Sequence, residues 1–209
     1  MEKYMSPQET LTEIRHLMER SSRFMSLSGL SGIMAGIYAI LGAAAAYYYA
    51  AAQDLLNQKG YDFATTGDKD RLVFLLTDAT LVLVLAVGTG IWLTTRKAKE
   101  DGNSLLDAAA KKLVINLAIP LVAGGLFCVG LLYHGDLIFI VPAMLTFYGL
   151  ALVHASKYTR DDVRSLGIAQ IALGLLSLFI AGYGLLLWTI GFGALHIAYG
   201  TYMYLKYEK

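Results

Sequence analysis

The residues that could carry chemistry in this chain are four polar side chains inside long apolar stretches: Asp78, Asn116, Gln170 and His196. Asp78 stands seven residues after Arg71, or about 10 Å along a helix, so it cannot reach bulk water if its stretch crosses a membrane. A carboxylate in lipid costs about 2.5 to 3.5 kcal/mol on insertion scales and therefore needs polar surroundings. Asp78 indicates either a cation or proton site or a buried hydrogen bond to a neighbouring group.

His196 stands near the middle of the last apolar stretch, with Gly193 and Gly200 on the same helical face. Small residues on both sides of a polar ring indicate that a neighbouring helix or a ligand packs there, so an interhelical hydrogen bond and a ligand contact are both open. Haem b held by two histidines is a further alternative, although His134 and His154 stand near the ends of their stretches, at other depths. The sequence contains no CxxCH for covalent haem.

Asn116 and Pro120 stand one helical turn apart in the third apolar stretch. A proline frees a backbone carbonyl one turn earlier, and helices broken in this way line transport sites in some carriers, although a simple kink is the alternative. Gln170 places an amide in the fifth stretch, where it can join two helices by hydrogen bonds. We therefore predict an intramembrane polar site made of the four side chains Asp78, His196, Asn116 and Gln170.

No motif for enzymatic chemistry is present. The sequence has no Walker loop, no GxSxG, no HExxH and no pair of carboxylates at a useful separation. The acidic residues Asp68 and Asp70 flank a lysine and lack the spacing of a calcium loop. We therefore predict no catalytic residue, no metal site and no cofactor, and the chain is not expected to be an enzyme.

Small residues recur at four-residue spacing at the start of the first apolar stretch, where Ser28, Gly32 and Gly36 share one helical face. Together with Gly193 and Gly200 they predict close helix packing, either within one chain or between copies. Tyr-Gly pairs also begin at Tyr148 in the fourth stretch and at Tyr199 in the sixth, 51 positions apart, which is a weak indication of an internal repeat.

Composition indicates the elements that must position these residues. The chain is 56% hydrophobic and 16% charged, against about 25% charged in soluble domains. Six stretches are long enough for a helix of about 20 residues to cross a bilayer, and strands of a closed barrel do not suit such continuous runs. The fold class predicted is therefore all-α: a polytopic membrane protein with six transmembrane helices in three antiparallel hairpins. The predicted spans are 24–49, 72–95, 112–133, 137–156, 165–183 and 187–206.

The distribution of basic residues predicts the orientation of the chain. Of its 17 Lys and Arg, only Lys59, Lys69 and Arg71 fall on the side that holds the first, third and fifth connections. Basic residues beside spanning helices are retained in the cytoplasm, so both termini are predicted to be cytoplasmic. Short loops and the lack of an organelle signal favour a bacterial inner (plasma) membrane. A net charge of +1 gives no reason to expect nucleic acid as a partner.

Residues 1–23 are predicted to form a separate amphipathic helix. Ser6 to Glu9 read as a capping box with proline at the first helical position, and Leu11, Ile14 and Met18 recur at helical spacing. The polar face mixes acidic and basic residues, which favours docking on the protein's own bundle or on a partner over lying on lipid. Partners are therefore the lipid bilayer and, through residues 1–23, a protein partner or a second copy.

Three classes of function fit this sequence. The leading one is a small permease, channel or ligand-binding membrane protein with a polar intramembrane site. The second is a non-enzymatic scaffold or signalling subunit that binds a partner through the N-terminal helix. The third is a haem- or quinone-binding redox membrane protein.

Overall fold

A computed structural model describes residue 8 and residues 23–52, 69–102, 107–180 and 182–209 of the chain. These residues form helices and turns and no strand. The helices, in chain order, are α1 (Gly29–Ala52), α2 (Lys69–Glu100), α3 (Ala108–His134), α4 (Ile140–Ala155), α5 (Asp162–Ser177) and α6 (Gly184–Tyr207). Short 3-10 turns precede and follow α4. Most of the predicted amphipathic helix within residues 1–23 lies outside the described residues, as do residues 53–68 of the predicted first connection.

The chain is an all-α multi-pass membrane protein, as the sequence predicts. Among the described residues, five helices are long and apolar enough to cross a bilayer, and α5 adds a sixth, shorter helix of 16 residues. Large apolar side chains of α2 and α3, such as Leu83 and Leu126, are exposed at the outer surface of the bundle. Because these side chains are as apolar as lipid tails, this surface is suited to contact with a bilayer.

Two helix ends fall well inside the predicted spans. Helix α1 begins at Gly29 rather than Phe24, because residues 24–28 are not helical and Phe24 and Met25 bind the connection between α4 and α5. The Phe24 amide donates a hydrogen bond to the Tyr158 carbonyl at 2.8 Å, and the Thr159 hydroxyl donates to the Phe24 carbonyl at 2.7 Å. Helix α5 ends at Ser177 rather than near residue 183, and the turn that follows contains Gly182 at a φ of 86°, which favours glycine.

The most extensive contact in the described chain joins α4 to α5. Helix α3 packs mainly on α4, and α1 packs on α6 and on α2. Helix α2 makes its main contact with α1 alone, so it lies at the edge of the bundle. The centre therefore consists of α1, α4, α5 and α6, and it contains the buried polar residues Gln170, Ser177 and His196.

Glycines allow the backbones of the central helices to touch. A Cβ atom added at Gly36 of α1 would lie 2.6 Å from the Gly193 carbonyl oxygen of α6, and one added at Gly32 would lie 3.1 Å from the Gly200 Cα. The predicted packing residues of α1 thus meet those of α6 within one chain. Gly149 and Gly167 join α4 to α5 in the same manner, since a Cβ at either position would lie within 2.8 Å of the other's carbonyl oxygen.

The end of the bundle that carries residue 23 and the C-terminal residues is rich in lysine and arginine, and we call it the basic end; the other end is the opposite end. Arg23 forms an ion pair with Asp161 at 2.9 Å. The Glu208 carboxylate accepts hydrogen bonds from the Gly29 amide and from the Ser28 hydroxyl. A carboxylate at a helix N-terminus satisfies free amides and favours the helix dipole, so Glu208 caps α1.

Asp162 connects α5 to the end of α6. Its carboxylate accepts hydrogen bonds from the Tyr207 hydroxyl at 2.7 Å and from the Lys206 ammonium at 3.2 Å. Burial acts to raise the pKa of Asp162, but the hydrogen bonds from Tyr207 and Lys206 outweigh it and hold the pKa below its ordinary value. The ionised carboxylate therefore stabilises the basic end.

Asp162→Asn is expected to flatten the acid side of the pH–stability profile. A carboxyl whose pKa is depressed by folding contributes stability that is present above its unfolded pKa, about 3.9, and is lost as pH falls through the lower folded value. The Asn variant should be less stable than the wild type at pH 7, and the difference should shrink below about pH 4. Thermal unfolding in detergent across this pH range measures the effect. Asp161→Asn, at a more exposed neighbour, is the control, and equal pH slopes for Asp162→Asn and the wild type would contradict the assignment.

Candidate functional site

Helix α6 contains a wide turn at its centre, the π segment Thr189–Ala194. Here the Leu195 amide donates to the Ile190 carbonyl five residues earlier, instead of four. The Gly191 carbonyl oxygen in this turn accepts hydrogen bonds from two side chains. The Gln170 amide nitrogen of α5 donates to it at 2.7 Å, and the His196 Nδ1 donates to it at 3.0 Å. Single π turns inside α-helices are found often at functional sites.

The partners of His196 determine its tautomer. A carbonyl oxygen can only accept, so Nδ1 carries the proton that bonds to Gly191. Nε2 then holds a lone pair, and it lies 2.7 Å from the Tyr148 hydroxyl of α4, which donates to it. His196 is 6% exposed, and both of its ring nitrogens are hydrogen-bonded. We call Tyr148, Gln170, Gly191 and His196 the π-segment site.

Aromatic and aliphatic side chains enclose the π-segment site. The Phe192 ring stacks on His196 with centroids 5.9 Å apart and planes 17° apart, and it also contacts Tyr148 and Trp188. Leu145 is fully buried beside Gly191. Hydrogen bonds are electrostatically stronger in such apolar surroundings, and an unpaired polar atom is correspondingly costly.

Two buried polar atoms near this site have no hydrogen-bond partner within the part of the chain that the structure describes: the Gln170 Oε1 and the Tyr199 hydroxyl. Gln170 is 0% exposed, and its Oε1 faces Gly191, where an added Cβ would lie 2.8 Å away. A buried acceptor left unpaired costs about 1 to 3 kcal/mol. The site thus presents an acceptor that a hydrogen-bond donor would satisfy.

Of the four predicted site residues, the structure brings Gln170 and His196 together and places Asp78 elsewhere. Asp78 is half-buried in α2, where it faces Gly42 of α1: a Cβ added at Gly42 would lie 3.2 Å from its Oδ2. The neighbouring Thr77 and Thr80 hydroxyls donate to carbonyls of their own helix. Because α2 packs on the side of α1, Asp78 does not share the surroundings of His196.

Asn116 also lies apart from the π-segment site. Its Nδ2 donates to the Lys112 carbonyl one turn earlier in α3, at 2.8 Å. Pro120 is buried within the same helix, and α3 packs mainly on α4. The amide therefore bonds to its own helix instead of lining a shared polar site.

Tyr148 and Tyr199 are the residues of this region that sequence reasoning does not select as site residues. Both begin a Tyr-Gly pair, and in both pairs the glycine forms a close helix crossing, Gly149 with α5 and Gly200 with α1. The Tyr-Gly pair is the sequence signal that points to them, although the same pair at Tyr183 has no close helix crossing, because a Cβ at Gly184 would lie no nearer than 3.7 Å to a neighbour. A glycine crossing brings the adjacent tyrosine into the centre of the bundle.

The positions of the possible ligand side chains can be compared with what a metal ion or a haem would need. Within the described ranges, no three His, Cys, Asp or Glu side chains come close enough to hold a metal ion. The His196 Nε2 is engaged by Tyr148, so this arrangement offers no free imidazole lone pair to a haem iron. Comparison of the chain with models of protein families, with curated proteins and with solved structures finds no match.

Proposed function

We propose that the protein is a small permease that takes up a small, neutral, hydrogen-bond-donating solute at the π-segment site. The observation that supports this proposal best is the unpaired Oε1 of Gln170, a fully buried acceptor at the centre of the bundle. Buried polar groups are nearly always paired, so an unpaired one marks a position for a donor from a ligand or water.

The surroundings of this acceptor suit a solute rather than an ion. Both nitrogens of His196 are hydrogen-bonded within the protein, and Gln170 carries no charge. A cation would need several oxygen ligands or a carboxylate. The side chains packed on the site instead include Phe192, which stacks on His196, and Leu145, which lies beside Gly191, and both are apolar. A binding site with few polar groups and apolar surroundings favours small uncharged molecules.

The π segment also provides a means of movement. An additional residue in one turn of α6 leaves the Gly191 carbonyl free for side chains. A shift of this turn toward regular α-helix would move the Gly191 carbonyl away from Gln170 and reorient the Gln170 amide. In this proposal the Gln170 Oε1 therefore alternates between binding the solute and releasing it. In this proposal the basic end faces the cytoplasm of a bacterial inner membrane, in keeping with the excess of lysine and arginine there.

Solute flux in liposomes tests the proposal. Stopped-flow light scattering would follow urea and glycerol entry into liposomes that contain the purified protein. We expect wild-type protein to raise the rate several-fold above empty liposomes. Gln170→Leu should reduce the protein-dependent rate about tenfold, which corresponds to about 1.4 kcal/mol, because it removes the acceptor and keeps a similar volume.

Asn116→Leu is the matched control, because it removes an amide of comparable size that bonds only to its own helix. Its rate should stay within about twofold of wild type, a difference of about 0.4 kcal/mol. The proposal is overturned if wild-type liposomes admit both solutes no faster than empty ones, or if Gln170→Leu behaves as Asn116→Leu does.

A further inference from the structure

The end of α2 and the start of α3 meet at the basic end of the bundle. Ala98 of α2 and Ala110 of α3 are both buried, and they form one apolar cluster with Phe24. Away from this junction the two helices pack on different partners, since α2 lies mainly on α1 and α3 mainly on α4. The outer surfaces of both helices are therefore open to lipid, and they lie side by side at the basic end.

Basic residues outnumber acidic ones at this junction. From Arg96 to Lys112 the described residues include five basic and three acidic side chains. Arg96 forms an ion pair with Glu100 at 3.0 Å. Lys97 forms one with Asp101 at 3.0 Å. The other three basic side chains are exposed and form no ion pair within the described ranges, and we call them the lysine patch: Lys99, Lys111 and Lys112.

An exposed apolar surface begins within two helical turns of the lysine patch on each helix. In α2, Trp92 is 63% exposed and lies seven residues before Lys99. In α3, Ile115 is 58% exposed and lies four residues after Lys111. Residues four and seven positions apart share a helix face, so each lysine has an apolar neighbour on its own face. Tryptophan is enriched where the hydrocarbon core meets the headgroups, and this surface therefore has the character of that boundary.

We propose that the lysine patch binds the headgroup of an anionic phospholipid, with the acyl chains of the lipid along Trp92 and Ile115. The lipid phosphate supplies the negative charge that the three ammonium groups lack. Lysine side chains reach such a group while their stems stay on apolar surface. A zwitterionic headgroup such as phosphocholine also carries a phosphate, but its own ammonium group would repel the lysines. A free phosphate ion would leave the apolar surface uncovered.

Quenching of Trp92 fluorescence by brominated lipid reports which headgroup lies at this surface, because bromine on an acyl chain quenches only a tryptophan that it nearly touches. Trp188→Phe removes the second of the 2 tryptophans and keeps an aromatic ring beside Phe192. This full-length variant would be placed in phosphatidylcholine vesicles with a minor share of phosphatidylglycerol, and bromine would be carried first by one lipid and then by the other. We expect phosphatidylglycerol to quench Trp92 about fivefold more than its mole fraction predicts.

Lys111→Gln together with Lys112→Gln, in the same single-tryptophan protein, is expected to lower this enrichment to within about twofold of random contact. Both side chains are exposed, so the fold should not change. The matched control is Arg164→Gln together with Lys209→Gln. It removes the same charge from exposed residues at the same end, but in α5, which packs mainly on α4, and after α6. The control should keep the fivefold enrichment.

Three results would overturn the proposal. Brominated phosphatidylglycerol could quench Trp92 only in proportion to its mole fraction. The two double variants could lose enrichment equally, and the attraction would then belong to the net charge of the basic end. Inorganic phosphate could abolish the enrichment where chloride of the same ionic strength does not, and the patch would then bind a free anion. Solute flux enters none of these measurements, so lipid binding and the permease proposal stand or fall separately.

Discussion

Gly200→Ala is expected to lower the free energy of unfolding by about 3 kcal/mol or more, the upper end of the range for overpacking. The added Cβ would lie 2.5 Å from the Ile33 amide nitrogen and 2.6 Å from the Gly29 carbonyl oxygen. Both atoms belong to the backbone, so no side chain can rotate to make room, and α1 would have to move away from α6. Thermal unfolding and the monodisperse fraction after gel filtration in detergent measure the loss.

Gly130→Ala in α3 is the matched control for Gly200→Ala. Both positions are helical glycines in predicted spans, but a Cβ at Gly130 meets nothing within 4 Å. Alanine is favoured over glycine in a helix by up to about 1 kcal/mol, so this variant should be as stable as wild type or more so. If both variants lost stability equally, the role of Gly200 would be to make the helix flexible, and its contact with α1 would not explain the loss.

His196→Ala is expected to have the second largest effect. We expect it to lower the free energy of unfolding by about 3 kcal/mol, because it leaves a buried group unpaired and also creates a cavity. The change leaves the Tyr148 hydroxyl without its partner and removes the ring that stacks on Phe192. His134→Ala, at the exposed histidine that ends α3, should change stability by less than about 0.5 kcal/mol. Chemical or thermal unfolding in detergent would compare the two variants.

A double-mutant cycle separates the hydrogen bond from the loss of volume. Tyr148→Phe and His196→Ala should together cost less than the sum of the single changes, with a coupling of about 1 kcal/mol. Strict additivity would mean that the 2.7 Å contact between Tyr148 and His196 contributes nothing measurable to stability.

The sequence predicts the fold of this protein well because lipid imposes a simple requirement. Long apolar runs must satisfy their own backbone, so each of the six becomes a helix, and the described helices agree with the predicted spans to within a few residues at most ends. The exceptions arise where local contacts override hydropathy: Phe24 is apolar enough for a span, yet its backbone bonds to Tyr158 and Thr159 instead.

The candidate site could be predicted only in part, because it depends on which helices are neighbours. Hydropathy identifies Asp78, Asn116, Gln170 and His196 as polar residues in apolar surroundings, but it carries no information on the order of helices around the bundle. Helix α2 lies at the edge, which removes Asp78 from the centre, while the crossing of α4 with α5 and α6 brings Tyr148 to His196. The π segment is a further obstacle, because one extra residue in a turn rotates every later side chain of α6 relative to a regular helix.

The cap on α1 comes from the far end of the described chain. Glu208 bonds to the first turn of α1, and the glycine face of α1 is covered by α6, which is synthesised after every other described helix. During insertion, α1 is therefore in the bilayer before α6 can cover its glycine face and before Glu208 can bind its first amides. The central pair can therefore form only after every described helix has been synthesised, and until then the face of α1 that α6 covers is open to association with a neighbouring molecule.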